Sequence, residues 1–206
     1  VLIFGMAYEK TPLIFLVILT IVLIEGKDLS IFGFKTEKLM RGILLGLIYY
    51  FLLEFIAEFG MVVLVYAITR EVLVTGFDPV PFVLTMPFMM LAVGISEEGL
   101  FRGYIQTHVA QFYSRWKTIL LQAVLFGLWH FVWYIAPLNL FDMFFHITEA
   151  FVVGLLLGYF YSICQNLTPL ILVHGLSDCF PRSLIQSTTA WASLQNLSAT
   201  TQILTY

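Results

Sequence analysis

Apolar residues along this chain do not alternate with polar ones at a strand or surface-helix period; they run in long stretches broken by short polar clusters. A hydrocarbon core about 30 Å thick requires roughly 20 apolar residues of a helix, so each long run is a candidate span. Six runs emerge. The first covers 11–24 and stops at Glu25-Gly26-Lys27-Asp28, with an apolar stub over 1–7 before it. The second, 39–69, is long enough to tilt or to extend beyond a bilayer. The third, 79–113, opens at Pro79-Val80-Pro81, which suits a helix start, and at 1.5 Å per residue would be roughly 50 Å long, so its last turns leave the hydrocarbon. The fourth, 116–135, is closed by Ala136-Pro137-Leu138-Asn139; the fifth, 141–163, by Gln165-Asn166; and the sixth, 168–180, by Pro181. The pattern predicts an all-α, polytopic transmembrane helical bundle of about six helices. The chain begins with Val1 rather than Met, which leaves room for further helices before it. Residues 1–180 are expected to form a single transmembrane domain whose motif-bearing core is 90–180, and 181–206 a Ser-, Thr-, Gln- and Asn-rich polar tail or surface helix.

Composition sharpens this picture. Hydrophobic residues make up 60% and charged residues 11%, against roughly 25% charged in an ordinary soluble domain. Twenty Phe, ten Tyr and four Trp exceed what one soluble core of this size hides, whereas lipid-facing and interfacial positions accept them. The net charge of −3 is small and scattered and no long basic run appears, so no nucleic-acid partner is expected. Cys164 and Cys179 have neither CxxC spacing nor a disulfide framework and read as small packing residues. Basic residues concentrate in the breaks after the first helix (Lys27, Lys35, Lys38, Arg41) and after the third (Arg115, Lys117), against Arg70 alone in the opposite breaks. That bias predicts cytoplasmic placement of the first two, with Lys10 weakly opposing it.

Ionisable groups inside apolar helices are costly and tend to be functional. In Ser96-Glu97-Glu98-Gly99-Leu100-Phe101-Arg102, Glu98 and Arg102 fall at i, i+4 and can pair on one face, leaving Glu97 about 100° around the helix as a candidate general base. The alternative for this segment is an interfacial charge cluster. In Phe126-Gly127-Leu128-Trp129-His130, Phe126 and His130 share a face and Gly127 allows another helix to approach. A lone His among aromatics is more often a packing residue, but His130 and Glu97 both fall deep in their helices. His174 and Asp178 again lie at i, i+4, either as a local lock on the last helix or as part of a site. Three helices each offering an inward polar face favour a shared site. His146 and Glu149, at i, i+3, read as a local structural pair in preference to the lining of a substrate cavity, and Glu54 and Glu58, one turn apart, as candidates for a water-filled entrance.

The ordered set Glu97-Glu98-x-x-x-Arg102, Phe126-x-x-x-His130 and His174-x-x-x-Asp178 resembles the EExxxR, FxxxH and HxxxN/D motifs of the type II CAAX prenyl protease family, also termed CPBP or ABI intramembrane proteases. The stretch Gly154 to Tyr161, followed by Asn166-Leu167-Thr168-Pro169, resembles that family's approach to its last motif, so the likeness covers about residues 90–180. The resemblance implies proteolysis without a covalent intermediate. Glu97 and His130 would activate a water, His174 and Asp178 would bind the oxyanion, and Glu98, Arg102 and Phe126 would support the site. Asp178 stands where many members have Asn; an ionised Asp cannot donate, so it would act either protonated or by orienting His174.

No cofactor is implied. A zinc set of Glu97, His130, His174 and Asp178 stays open, although no HExxH is present to support a zincin. The resemblance implies a membrane-associated protein or peptide as substrate, prenylated CAAX proteins among eukaryotic members, with bacterial relatives linked to peptide maturation and bacteriocin self-immunity. It also implies a multi-pass protein of the cell membrane or the endoplasmic reticulum membrane. The competing readings are a non-enzymatic scaffold or immunity protein that keeps the fold, and a transporter using the buried carboxylates, against which stand the few helices and the lack of inverted repeats.

Overall fold

The computed structural model describes residues 6–35, 37, 39–70, 75–131, 138–179 and 184–186. Within them the chain forms six helices: α1 (Met6–Ile24), α2 (Leu39–Thr69), α3 (Pro79–Val109), α4 (Arg115–Trp129), α5 (Leu140–Cys164) and α6 (Thr168–Cys179). Their order and placement follow the apolar runs. α2, α3 and, over Asp142–Cys164, α5 are long and apolar enough to cross a membrane, and α1 contributes a shorter apolar helix over Lys10–Ile24. The protein is an all-α membrane-helix bundle, and its outer surface carries the large apolar side chains that lipid tolerates: Phe51, Phe55 and Phe59 on α2 are each more than 60% exposed.

Three helix ends differ from expectation, the first being the start of α1, which lies at Met6 rather than 11. α3 stops at Val109 rather than near 113, and α4 runs from Arg115 to Trp129, ending in a short 3-10 turn at His130. The expected continuation of the fourth helix over 132–135 lies outside the described residues, as do most of the stretch 181–206 and residues 1–5. Within the expected tail, Leu184–Gln186 pairs antiparallel with Thr75–Phe77, just before α3, as a short two-stranded ladder. Asp78 caps α3 by accepting from the Val80 N–H at 2.9 Å, with Pro79 in the first turn, and Asn139 caps α5.

α3 is not a regular α-helix. Met89–Gly94 and Gly99–Gln106 are π-helical, and the four residues Ile95–Glu98 between them are α-helical. π turns re-aim the side chains that follow them and often occur at functional sites. They surround the Glu97-Glu98 pair on both sides.

Close helix contacts then fix where those side chains go. A Cβ on Gly94 would stand 2.9 Å from the Ile171 carbonyl of α6, and one on Gly175 would stand 2.9 Å from the Met90 Cα, so α3 and α6 touch through backbone. At Gly127 a Cβ would meet the Ile147 carbonyl at 2.9 Å, so α4 lies against α5 as that glycine led one to expect. Tyr50, Leu157, Tyr161, Leu170 and Val173 fill the space between α2, α5 and α6; Phe15, Leu100, Phe101, Phe126 and Ala150 fill that between α1, α3, α4 and α5. Cys179 packs with Met89 and Val93, the role expected of it, while Cys164 is half-buried with its thiol donating to the Asn166 carbonyl.

Candidate active site

The π turns of α3 and its contact with α6 bring Glu97, Glu98 and Arg102 against His174. Arg102 Nη1 donates to Glu98 Oε1 at 2.9 Å, the i, i+4 pair expected from the sequence, and both side chains are fully buried. The same Glu98 oxygen accepts a second hydrogen bond, from His174 Nδ1 at 2.6 Å. Glu98 therefore fixes both a cation and a ring, and His174 is left presenting Nε2. That nitrogen lies 3.7 Å from Glu97 Oε2 and 3.9 Å from Asp178 Oδ2. At 3.9 Å Asp178 is beyond direct hydrogen-bond range, so Glu98, not Asp178, orients the ring. Asp178 sits at the rim, with 31% of its side chain exposed.

His130 approaches Glu97 from the end of α4. Its Nδ1 meets the Phe126 carbonyl at 2.7 Å, and its Nε2 lies 3.9 Å from Glu97 Oε2. A carbonyl only accepts, so His130 donates from Nδ1 and turns Nε2 toward the carboxylate. Phe126 is the hub of these groups. It meets His130, His174 and Phe101 edge-on, with centroids 4.7, 5.8 and 5.0 Å away, and the Arg102 guanidinium lies 4.2 Å over its face. The seven residues of the three sequence motifs thus fall in one cluster.

Residues 79–180 match the family model described as type II CAAX prenyl endopeptidase Rce1-like. The chain carries a domain of this family. The family is one of proteases, and the Rce1-like segment begins at the first residue of α3 and holds every residue of the cluster just described. No curated protein and no solved structure gave a significant match.

Outside the Rce1-like segment, α1 also reaches the site, through residues that sequence reasoning did not single out. The Thr11 hydroxyl donates to Glu97 Oε1 at 3.1 Å and accepts from Trp129 Nε1 at 2.8 Å. Lys10 Nζ donates to the Trp129 carbonyl at 2.6 Å and lies 4.5 Å from that indole's centroid. Two buried amides were also missed: Gln106 and Gln122 donate to the Gly158 and Gly154 carbonyls and tie α3 and α4 to α5. His146, expected to pair locally with Glu149, does face it at 3.6 Å, and its ring also lies 5.2 Å from that of His130. Glu54 is half-buried on α2, and the side chain of Glu58 lies outside the described residues.

Proposed function

We propose that the protein is a glutamate-type intramembrane endopeptidase that hydrolyses a peptide bond in a membrane-associated protein or peptide, with prenylated CAAX termini as the substrate class the family description suggests. One observation carries the reading. Glu97 Oε2 is buried without a hydrogen-bond partner among the described residues, yet stands 3.9 Å from His130 Nε2 and 3.7 Å from His174 Nε2. Two acceptors 3.9 Å apart are spaced to share one water at about 2.8 Å from each.

In this reading Glu97 takes a proton from that water while His130 Nε2 accepts its second hydrogen bond, aligning the oxygen lone pair on the scissile carbonyl. The carbonyl oxygen becomes an oxyanion beside His174. Held by Glu98 through Nδ1, His174 donates from Nε2 as an imidazolium, and Asp178 balances its charge from the rim. Glu97 then returns the proton to the leaving amine, so no covalent intermediate is needed. Arg102 neutralises Glu98, which leaves Glu97 as the carboxylate free to work. Among the described residues no group of three or more His, Cys, Asp or Glu side chains is arranged to hold a metal ion, and one nitrogen of His174 is already committed to Glu98. The protein is proposed to cross the cell membrane or the endoplasmic reticulum membrane several times, with the Lys- and Arg-bearing breaks after α1 and α3 in the cytoplasm.

The experiment is cleavage of a quenched-fluorescent prenylated CAAX peptide by the detergent-purified protein, beside Glu97→Ala and His130→Ala and with chelator added. The proposal expects cleavage by the wild type, a loss of about 100-fold or more in each variant, and no effect of chelator. Activity that survives Glu97→Ala overturns the glutamate mechanism. Activity abolished by chelator and restored by zinc replaces it with the metal-dependent version, and a folded wild type that cleaves nothing favours a scaffold.

A further inference from the structure

The chain of hydrogen bonds running into Glu97 from α1 has a fixed direction. Indole Nε1–H can only donate, so in the Trp129–Thr11 contact of 2.8 Å the Thr11 oxygen is the acceptor. The hydroxyl proton of Thr11 is then free for Glu97 Oε1, 3.1 Å away. Thr11 is fully buried, so no bulk water competes for either bond. Elsewhere in the bundle the hydroxyls of Thr20 and Thr69 bond back to carbonyls four residues earlier in their own helices, at 2.7 and 2.8 Å. Thr11 instead points across to another helix. Lys10, its neighbour, clamps the carbonyl of Trp129, the residue immediately before His130.

We infer that α1, which lies outside the Rce1-like segment, completes the catalytic site, with Thr11 as a positioning residue for Glu97. Anchoring Oε1 stops rotation of the carboxylate and turns Oε2 toward His130 and His174. Trp129 holds the Thr11 hydroxyl in its donating orientation, and Lys10 holds the turn on which His130 sits. This rests on reading Glu97 as the general base. It makes residues 79–180 an incomplete site, because the group that orients the base comes from the first helix.

The test compares Thr11→Val, which keeps shape and removes the hydroxyl, with Thr11→Ser, which restores it, in the peptide-cleavage assay on the full chain. Thr11→Val should lower kcat about tenfold, or about 1.4 kcal/mol, with KM unchanged, and Thr11→Ser should return kcat to within about threefold of wild type. Trp129→Phe, which loses the N–H but keeps a ring, should fall between them. Wild-type kcat in Thr11→Val overturns the inference, as does an equal fall in Thr11→Val and Thr11→Ser, which would mark a packing effect. Glu97→Gln in the same series separates the two levels: if it stays active the base assignment fails, and if it is inactive while Thr11→Val is not, the positioning role alone fails. An independent readout is the infrared carboxyl band of Glu97, isolated as wild type minus Glu97→Gln. It should shift in Thr11→Val and not in Thr11→Ser; an unchanged band overturns the inference even where no peptide is cleaved.

Discussion

Replacing Arg102 by Met tests the centre of the site, because it removes a charge from a place no water reaches. Arg102 and Glu98 are each fully buried and meet at 2.9 Å. The guanidinium also covers the Phe126 face at 4.2 Å, so Met, of comparable length, keeps much of the packing while taking from the buried Glu98 its permanently charged partner and leaving it His174 alone. Removing one partner of a buried ion pair costs about 3–5 kcal/mol. In a chain of 206 residues, at about 2–4 °C per kcal/mol, Arg102→Met should lower the melting temperature by roughly 6–20 °C. Differential scanning fluorimetry in detergent measures this directly. The companion is the double variant Glu98→Gln/Arg102→Met, which has no buried charge at the pair and should recover most of the loss. Its amide oxygen can still accept from His174 Nδ1, although more weakly than a carboxylate does. The double variant should therefore be stable but slow, with kcat at least tenfold down. An Arg102→Met variant that melts within about 2 °C of wild type, or a double variant no more stable than the single one, refutes the role assigned to the buried pair.

Phe126→Ala removes a ring that touches Phe101, His130, His174 and Arg102 together, and should cost about 3–5 kcal/mol in thermal or denaturant unfolding with activity lost in parallel. Gly127→Leu places a side chain where even a Cβ would meet the Ile147 carbonyl at 2.9 Å; a loss of about 1–3 kcal/mol or more is expected, whereas Leu128→Ala on the exposed face should change the melting temperature little. Asp178→Asn should leave cleavage within about threefold of wild type, because Glu98 and not Asp178 holds His174, while Glu98→Gln alone should reduce kcat more than tenfold; the reverse order in the peptide assay would reassign the two carboxylates.

Parts of the site were legible because they follow helical periodicity alone. Glu98 with Arg102, Phe126 with His130, and His174 with Asp178 are each one turn apart, and a turn is all the sequence needs to supply to place them on a shared face. The partner across helices was not legible in the same way. A regular helix puts Glu97 and Glu98 about 100° apart, so only one of them would be expected to face α6. Both carboxylates nevertheless lie beside His174, Glu98 bonded to Nδ1 at 2.6 Å and Glu97 3.7 Å from Nε2, on a four-residue α segment set between two π turns. Nothing in the residue types of Met89–Gly94 marks a π turn, and the small residues that permit it to sit against α6, Gly94 and Gly175, look like any other membrane-helix glycines.

Thr11 was hidden for a different reason. In an apolar helix a threonine has a ready local acceptor four residues back, so its sequence carries no sign of a long-range bond, and Lys10 beside it reads first as a topology marker. The same logic bears on what the family segment can do by itself. Glu97, His130 and His174 are all inside residues 79–180, so the matched segment holds the proposed reacting groups. What it does not locate is the donor that decides which Glu97 oxygen faces them, because a hydroxyl can be supplied from any helix that packs there. A site built from one-turn pairs is therefore readable from motifs, whereas its orientation depends on contacts such as Thr11 to Glu97 that join residues far apart in the chain.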